Sequence, residues 1–150
     1  MKFDRCIYCF EPISGYPCPS CGYEDGAYMP LACWLLPGTI LKGRYVIGRV
    51  LREEPCELVY LGWDTLRKQK VELHEYYPKE YLQRDITASE DTVCLPGKEA
   101  VFESGLQQFF ERVRLYYQCM SRVDEDVNTE FFLRNGTGYY TKAYSPEIKK

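Results

Sequence analysis

The chain has 150 residues and a formal net charge of −3, with acidic and basic residues mixed along its length. This length allows one core of medium size and a small additional module, and no apolar run approaches the roughly 20 residues of a membrane span. The mixed charge argues against a nucleic-acid-binding surface, which normally shows a basic patch.

The strongest chemical signal lies near the N-terminus, where four cysteines form two CxxC pairs. Cys6 and Cys9 make the first pair, and Cys18 and Cys21 make the second, which Gly22 follows directly. Two such pairs can place four thiolates in a tetrahedron around one metal ion. Thiolate ligands favour zinc over iron. Because protein would fill all four positions, we predict a structural Zn²⁺, with a positive φ at Gly22.

A disulfide framework is the alternative for these cysteines. The first five residues lack the apolar segment of a secretory signal. We therefore expect a cytoplasmic protein, in which reducing conditions disfavour disulfides. The remaining cysteines show no ligand spacing and are interpreted as small buried or neutral thiols. They are Cys33, Cys56, Cys94 and Cys119.

The composition divides the chain into three parts. Residues 1–27 are predicted to form a zinc ribbon that is too short to own a core and is folded by its ion. Residues 28–38 form a linker whose apolar stretch, 31–36, is too hydrophobic to be free. We expect this linker to dock the ribbon on the larger domain, residues 39–150.

Three strands are predicted early in the larger domain, from their content of branched and aromatic residues and from an alternation of apolar and polar positions. They cover Arg44–Leu51, Glu57–Trp63 and Lys70–Tyr76, with a turn over residues 64–68. Residues 78–84 are interpreted as one helical turn. Residues 86–98 are interpreted as irregular, because Pro96-Gly97 breaks regular structure.

A long helix and a hairpin follow. Apolar residues recur at spacings of three and four over residues 98–121, as in an amphipathic helix. This stripe consists of Phe102, Leu106, Phe109, Val113, Tyr116 and Met120. The last strands, Thr129–Leu133 and Gly138–Tyr144, are joined through Asn135-Gly136, a dipeptide typical of β-hairpins. The predicted class is therefore α+β.

Several segments of the larger domain occur in an order and spacing typical of a known family. They are PGTILKGRYVIGRVL (37–51), VYLGWD (59–64), EYYPKE (75–80), Arg84-Asp85, the helical segment 102–109 and NGTGY (135–139). Over residues 37–144 the chain resembles the N-terminal lobe of a bacterial eukaryotic-type serine/threonine protein kinase, of the subgroup with a zinc ribbon in front. The resemblance implies a five-stranded antiparallel sheet with one regulatory helix.

The resemblance also implies where ATP would bind, and these positions are altered. The family's glycine-rich loop falls on residues 51–57, which contain no glycine. Pro55 removes a donor N–H group. Glu54 and Glu57, near Arg52, would face a triphosphate, and like charges repel.

Two further positions of the implied ATP site are changed. His74 stands where the family has its phosphate-binding lysine, and Arg112 stands where the helix has the glutamate that pairs with it. Histidine and arginine do not attract each other electrostatically. We interpret His74 as a plain strand histidine, since the sequence supplies neither a nucleophile nor an orienting partner beside it.

The family's catalytic loop and magnesium ligands belong to a second lobe, which the sequence up to Lys150 does not include. Phosphoryl transfer needs both lobes. We therefore predict no catalytic residue, no bound nucleotide and no enzyme activity. The leading hypothesis is a non-catalytic, regulatory protein-interaction module of pseudokinase type. One alternative is an N-terminal fragment of a larger kinase-like signalling protein that retains nucleotide binding.

A nucleic-acid-binding zinc ribbon is the other alternative. The ribbon carries two basic residues, Lys2 and Arg5, against four acidic ones, which suits phosphate contacts poorly. We expect instead a protein partner, or a second copy of the chain, on the face that would meet a second lobe. Tyrosine is enriched at interfaces, and the candidates are Tyr116, Tyr117, Tyr139, Tyr140 and Tyr144.

Overall fold

The computed structural model describes residues 4–123 and 129–144, which contain eight strands and one helix. The strands are β1 (Ile40–Leu41), β2 (Tyr45–Glu54), β3 (Glu57–Asp64), β4 (Gln69–Tyr76), β5 (Leu82–Gln83), β6 (Val93–Cys94), β7 (Phe131–Arg134) and β8 (Thr137–Ala143), and the helix is α1 (Glu99–Met120). Among these residues, no helical segment has the apolar length of a transmembrane span.

Six strands form one antiparallel sheet in the order β1-β2-β3-β4-β8-β7. The prediction of five strands is therefore wrong by one. The additional strand, β1, pairs with the start of β2. The chain reverses between them at Lys42 and Gly43, whose φ angles are 56° and 64°. A lysine in this conformation gives a weak sequence signal for a turn.

Residues 78–98 agree with their prediction only in part. Leu82 N–H donates to the carbonyl oxygen of Pro78 at 2.9 Å, so one helical turn does form. The chain then enters β5, which pairs with β6 inside the segment expected to be irregular. Each strand is two residues long, and strands this short leave no periodic pattern to recognise.

The final hairpin and the helix are confirmed. Asn135 and Gly136 form the turn between β7 and β8, both with positive φ. Helix α1 buries Phe102, Phe109 and Val113 from the predicted apolar stripe. The Phe109 ring contacts the rings of aromatic residues on three strands, at centroid distances of 5.4 to 6.1 Å: Tyr76, Phe131 and Tyr140.

Because side chains alternate along a strand, the sheet has two distinct faces. Tyr60, Leu73, Glu75 and Tyr139 share one face, the core face, where each side chain is fully buried. The other face carries Leu61, Trp63, Glu72 and His74. We call it the ribbon face, because the N-terminal module packs on it.

A buried ion pair on the core face also binds a backbone carbonyl of the linker. The Arg84 guanidinium donates to both carboxylate oxygens of Glu75, at 2.7 and 2.8 Å, and to the carbonyl oxygen of Cys33, at 2.7 Å. Tyr60 and Tyr139 donate their hydroxyl protons to the same carboxylate. The linker thus packs on the larger domain through a polar network as well as through its apolar residues.

The sheet curls so that β2 approaches β7 and it nearly closes into a barrel. The Tyr45 ring stacks on Phe132 at 5.9 Å between centroids. Glu130, just before β7, accepts a hydrogen bond from the Tyr45 hydroxyl at 2.5 Å and pairs with Lys42 and Arg44.

Candidate functional site

The four N-terminal cysteines converge on one point, as their spacing predicts. The Cys6 and Cys21 sulfurs lie 3.8 Å apart, as do those of Cys9 and Cys18, and all four sulfurs lie within 4.8 Å of one another. A tetrahedron with metal–sulfur bonds of about 2.3 Å has edges of about 3.8 Å. These side chains could therefore hold a metal ion, and residues 4–123 and 129–144 contain no second group of this kind.

Both cysteine pairs use the same backbone turn. Phe10 N–H donates to the Cys6 carbonyl at 2.7 Å, and Gly22 N–H donates to the Cys18 carbonyl at 2.8 Å. Gly22 has the expected positive φ, 81°, and Phe10 adopts φ 63° at the equivalent place. In each turn a backbone amide also donates to the first sulfur: Tyr8 to Cys6 at 3.3 Å and Ser20 to Cys18 at 3.4 Å.

The surroundings of the sulfurs shift the pKa values of Cys9 and Cys18 in opposite directions. Burial raises the pKa of Cys9 to about 12. At Cys18, burial is outweighed by hydrogen bonds from backbone amides, and the pKa falls to about 7. A metal ion requires all four as thiolates, so its binding releases protons.

The first cysteine turn packs on the ribbon face. Phe10 is fully buried beside Trp63, with their ring centroids 6.1 Å apart. The Arg5 guanidinium lies 4.0 Å from the Trp63 ring centroid. Arg5 also donates to the Phe10 carbonyl at 2.9 Å. This basic residue is therefore engaged within the protein, and Lys2 lies outside the described residues.

His74 is enclosed by two carboxylates on the ribbon face. Its side chain is 3% exposed. Nδ1 lies 2.8 Å from Glu57 Oε1, and Nε2 lies 3.1 Å from Glu72 Oε1. The ring stacks on Tyr140 with centroids 4.4 Å apart. His74 is thus not the plain strand histidine expected from the sequence.

The carboxylates favour the charged imidazole. Burial opposes charge on His74, but hydrogen bonds to Glu57 and Glu72 raise its pKa above the ordinary value of 6.5. Burial likewise opposes charge on Glu72, yet His74 and Arg52 together lower its pKa to about 2. The pKa of Glu57 is also lowered against the effect of burial, by His74 and Arg112.

Glu57 also connects the sheet to helix α1. Arg112 Nη2 lies 3.2 Å from Glu57 Oε2, so this carboxylate bridges two cations that would repel each other. Near the β2–β3 turn, Arg52 pairs with Glu54 at 2.7 Å and with Glu72 at 3.2 Å. These pairs form one ionic chain, in the order Glu54, Arg52, Glu72, His74, Glu57 and Arg112.

Sequence reasoning missed Glu72, and it missed the pairing of Glu57 with His74 and Arg112. The spacing of Glu72 and His74 on a strand places both on one face, a signal that was available. The contact of Glu57 with His74 required the register of β3 against β4, in which Val59 lies opposite His74. The sequence alone indicates that Glu57 repels phosphate, and the structure adds that Glu57 pairs with two basic residues.

The candidate tyrosines do not form one exposed surface. Tyr139 is fully buried in the core face and cannot belong to an interface. Tyr140 covers His74, Tyr144 packs near Trp63, and the Tyr116 ring lies 5.2 Å from the Lys142 ammonium. Tyr117 is exposed. Among the additional cysteines, Cys33 and Cys94 are half-buried and Cys56 and Cys119 are exposed, and none of the four belongs to the cysteine cluster.

No family model and no curated protein matches the chain. A solved structure titled "PpkA-294 apo form" matches 75% of the chain with a TM-score of 0.63 and 20% identity. That protein is a fragment of a bacterial serine/threonine kinase. The chain spans 39% of its length. At this identity the likeness shows the fold, an α+β arrangement of one helix on an antiparallel sheet.

Proposed function

We propose that this chain is a non-catalytic regulatory module, built from a kinase N-lobe-like sheet and a zinc ribbon. The enclosure of His74 by Glu57 and Glu72 carries the proposal. The resemblance assigns this position to a phosphate-binding lysine, which must keep its charge available for ATP. Here the cation is already paired on both ring nitrogens.

Electrostatics around His74 supports the same conclusion. Glu54, Glu57 and Glu72 contribute three carboxylates to the ionic chain, against the cations of Arg52, His74 and Arg112. A triphosphate would have to displace these carboxylates, and each displacement leaves a negative charge close to the phosphates. The Pro55-Cys56 turn between β2 and β3 has no glycine to close over the phosphates.

A nucleotide titration tests the absence of ATP binding. The melting temperature of the full chain is measured against rising Mg-ATP and Mg-ADP, and we expect no concentration-dependent rise. A rise that disappears in His74→Ala and persists in Lys79→Ala, a variant of an exposed residue away from the ionic chain, would contradict the proposal. Such a result would support the second candidate, part of a larger kinase-related protein that retains nucleotide binding. The greater length of the matched structure favours that candidate.

Zinc is the proposed ion because four thiolates form a soft, closed donor set. The ion would hold the two cysteine turns together and would leave no position for water or substrate. Its role would therefore be structural.

The proposed regulatory action requires a protein partner. Helix α1 exposes Leu115 and Tyr117, which are 54% and 46% accessible. If this helix contacts the partner or a second copy, Leu115→Ser/Tyr117→Ser should abolish capture, and Leu66→Ser, at another exposed apolar residue, should not. A monomeric chain in light scattering that captures no protein from its host would refute the interaction hypothesis.

A further inference from the structure

An apolar patch on the ribbon face is covered by the N-terminal module. The patch consists of Val46, Leu61 and Trp63, and Phe10 completes its buried cluster. Gly48 lies at its edge, where a Cβ atom would come within 2.8 Å of the Phe10 ring. The glycine thus provides the space that Phe10 occupies. Trp63 is 8% exposed under this cover.

The contacts that hold the cover come from the first cysteine turn itself. Besides Phe10, they involve Arg5 over Trp63, Glu11 with Lys70 at 2.9 Å, and Tyr8 against the Arg49 guanidinium at 4.4 Å. On the module's side of these contacts, all the residues lie within 5–11, the segment that supplies the ligands Cys6 and Cys9. Metal ligation and surface docking therefore depend on the same few residues.

The backbone of this turn links the two events. Phe10 has φ 63°, a conformation that residues with a side chain seldom adopt. Its N–H bonds to the Cys6 carbonyl at 2.7 Å, and Cys6 N–H bonds to the Glu11 carbonyl at 2.9 Å. The module's own buried cluster contains three residues, Cys6, Cys18 and Tyr23. Modules with so small a core generally depend on metal binding for their fold.

We propose that metal binding at the four cysteines controls whether the N-terminal module covers this patch. With the ion bound, the turn presents Phe10 to Gly48 and Trp63. When the ion is removed, Phe10 leaves its left-handed conformation, the module detaches and Trp63 enters solvent. This inference rests on the proposed metal site, so its test must measure metal binding and docking separately.

The fluorescence of Trp63 provides the docking signal. The chain has two tryptophans, and Trp34→Phe leaves Trp63 as the single emitter. Zinc is removed from this variant with a chelator under reducing conditions and then restored, while zinc release is followed with a colorimetric indicator. We expect the emission maximum to shift to longer wavelength and quenching by acrylamide to increase as zinc leaves. Both changes should reverse when zinc is added.

A Phe10→Ala change in the same background tests the coupling. This variant should bind one zinc ion per chain, yet its Trp63 emission should already be red-shifted and should no longer respond to zinc. Ile13→Ala, which trims a side chain of the ribbon's own cluster, should keep the zinc response. Zinc release without any change in Trp63 emission would overturn the coupling but leave the metal site intact. A chain that binds no zinc at all would overturn both.

Discussion

Glu57 and His74 form a short ion pair, 2.8 Å between Oε1 and Nδ1, on the ribbon face next to helix α1. The second carboxylate oxygen of Glu57 reaches Arg112 on the helix. The position of the helix against the sheet is therefore linked to the charge of the single histidine in the chain.

Stability should depend on pH through this pair. Because the pKa of His74 is raised, its contribution is complete below 6.5 and is lost as the pH rises through the folded-state value. The pKa values of Glu57 and Glu72 are lowered, so their contributions are complete above 4.5 and are lost on acidification. The stabilisation that these three groups contribute should be largest between these limits, as measured by the difference between the parent and His74→Gln in urea unfolding from pH 4 to 9.

His74→Gln is the matched variant for this measurement. At pH 6 it should lower the free energy of unfolding by about 1.5–3 kcal/mol, the usual range for hydrogen bonds to charged groups, and the difference should shrink at pH 9. The imidazole pKa is read directly by NMR, since one histidine gives one set of ring signals. A pKa at or below 6.5 in the folded chain would contradict the ion pair.

Much of the fold follows from local sequence signals. The period of the α1 stripe and the Asn135-Gly136 turn are both visible in the sequence, and the CxxC spacing predicts the sulfur cluster. Strand β1 cannot be predicted from the local sequence, because a strand of two residues shows no alternation of apolar and polar positions. The turn beside it also uses Lys42 at positive φ, which gives no clear turn signal. The ionic chain also escapes prediction, since its pairs depend on strand register and on the packing of α1.

The buried Glu75–Arg84 pair should be a major determinant of stability. Glu75→Gln leaves the buried Arg84 guanidinium without its counter-charge, and breaking such a pair costs about 3–5 kcal/mol. In Glu75→Gln/Arg84→Met the uncompensated charge is removed, so the double change should cost less than the sum of the single changes, with a coupling of about 1–3 kcal/mol. Urea unfolding of the four proteins measures this coupling.

The exposed Glu111–Arg114 pair is the control for this cycle. It lies on the surface of α1 with an N–O distance of 2.6 Å, and exposed pairs contribute less than about 1 kcal/mol. Equal losses at the buried and exposed pairs would contradict the role assigned to Glu75 and Arg84.

Gly105 should be intolerant of alanine even though it lies inside a helix. Glycine to alanine in a helix normally stabilises by about 1 kcal/mol. Here a Cβ atom would overlap the Tyr76 hydroxyl and lie 2.9 Å from its Cζ atom, so Gly105→Ala should destabilise by about 1–3 kcal/mol. Adding Tyr76→Phe should restore part of the loss in a thermal unfolding experiment. Gly15→Ala, where a Cβ atom meets nothing within 4 Å, should leave the melting temperature unchanged.

Metal content distinguishes the clustered cysteines from the scattered ones. Cys18→Ser should lose stoichiometric metal binding, because it removes one of four thiolates, together with the sulfur that accepts a hydrogen bond from the Ser20 N–H. Cys56→Ser, at an exposed cysteine in the β2–β3 turn, should bind as the parent does. Cobalt substitution measures metal binding in these variants, because tetrahedral thiolate coordination gives intense visible absorption that Cys18→Ser should lack.

Because metal binding releases protons, the metal affinity of the parent should fall as the pH is lowered, and an affinity independent of pH would argue against thiolate ligation.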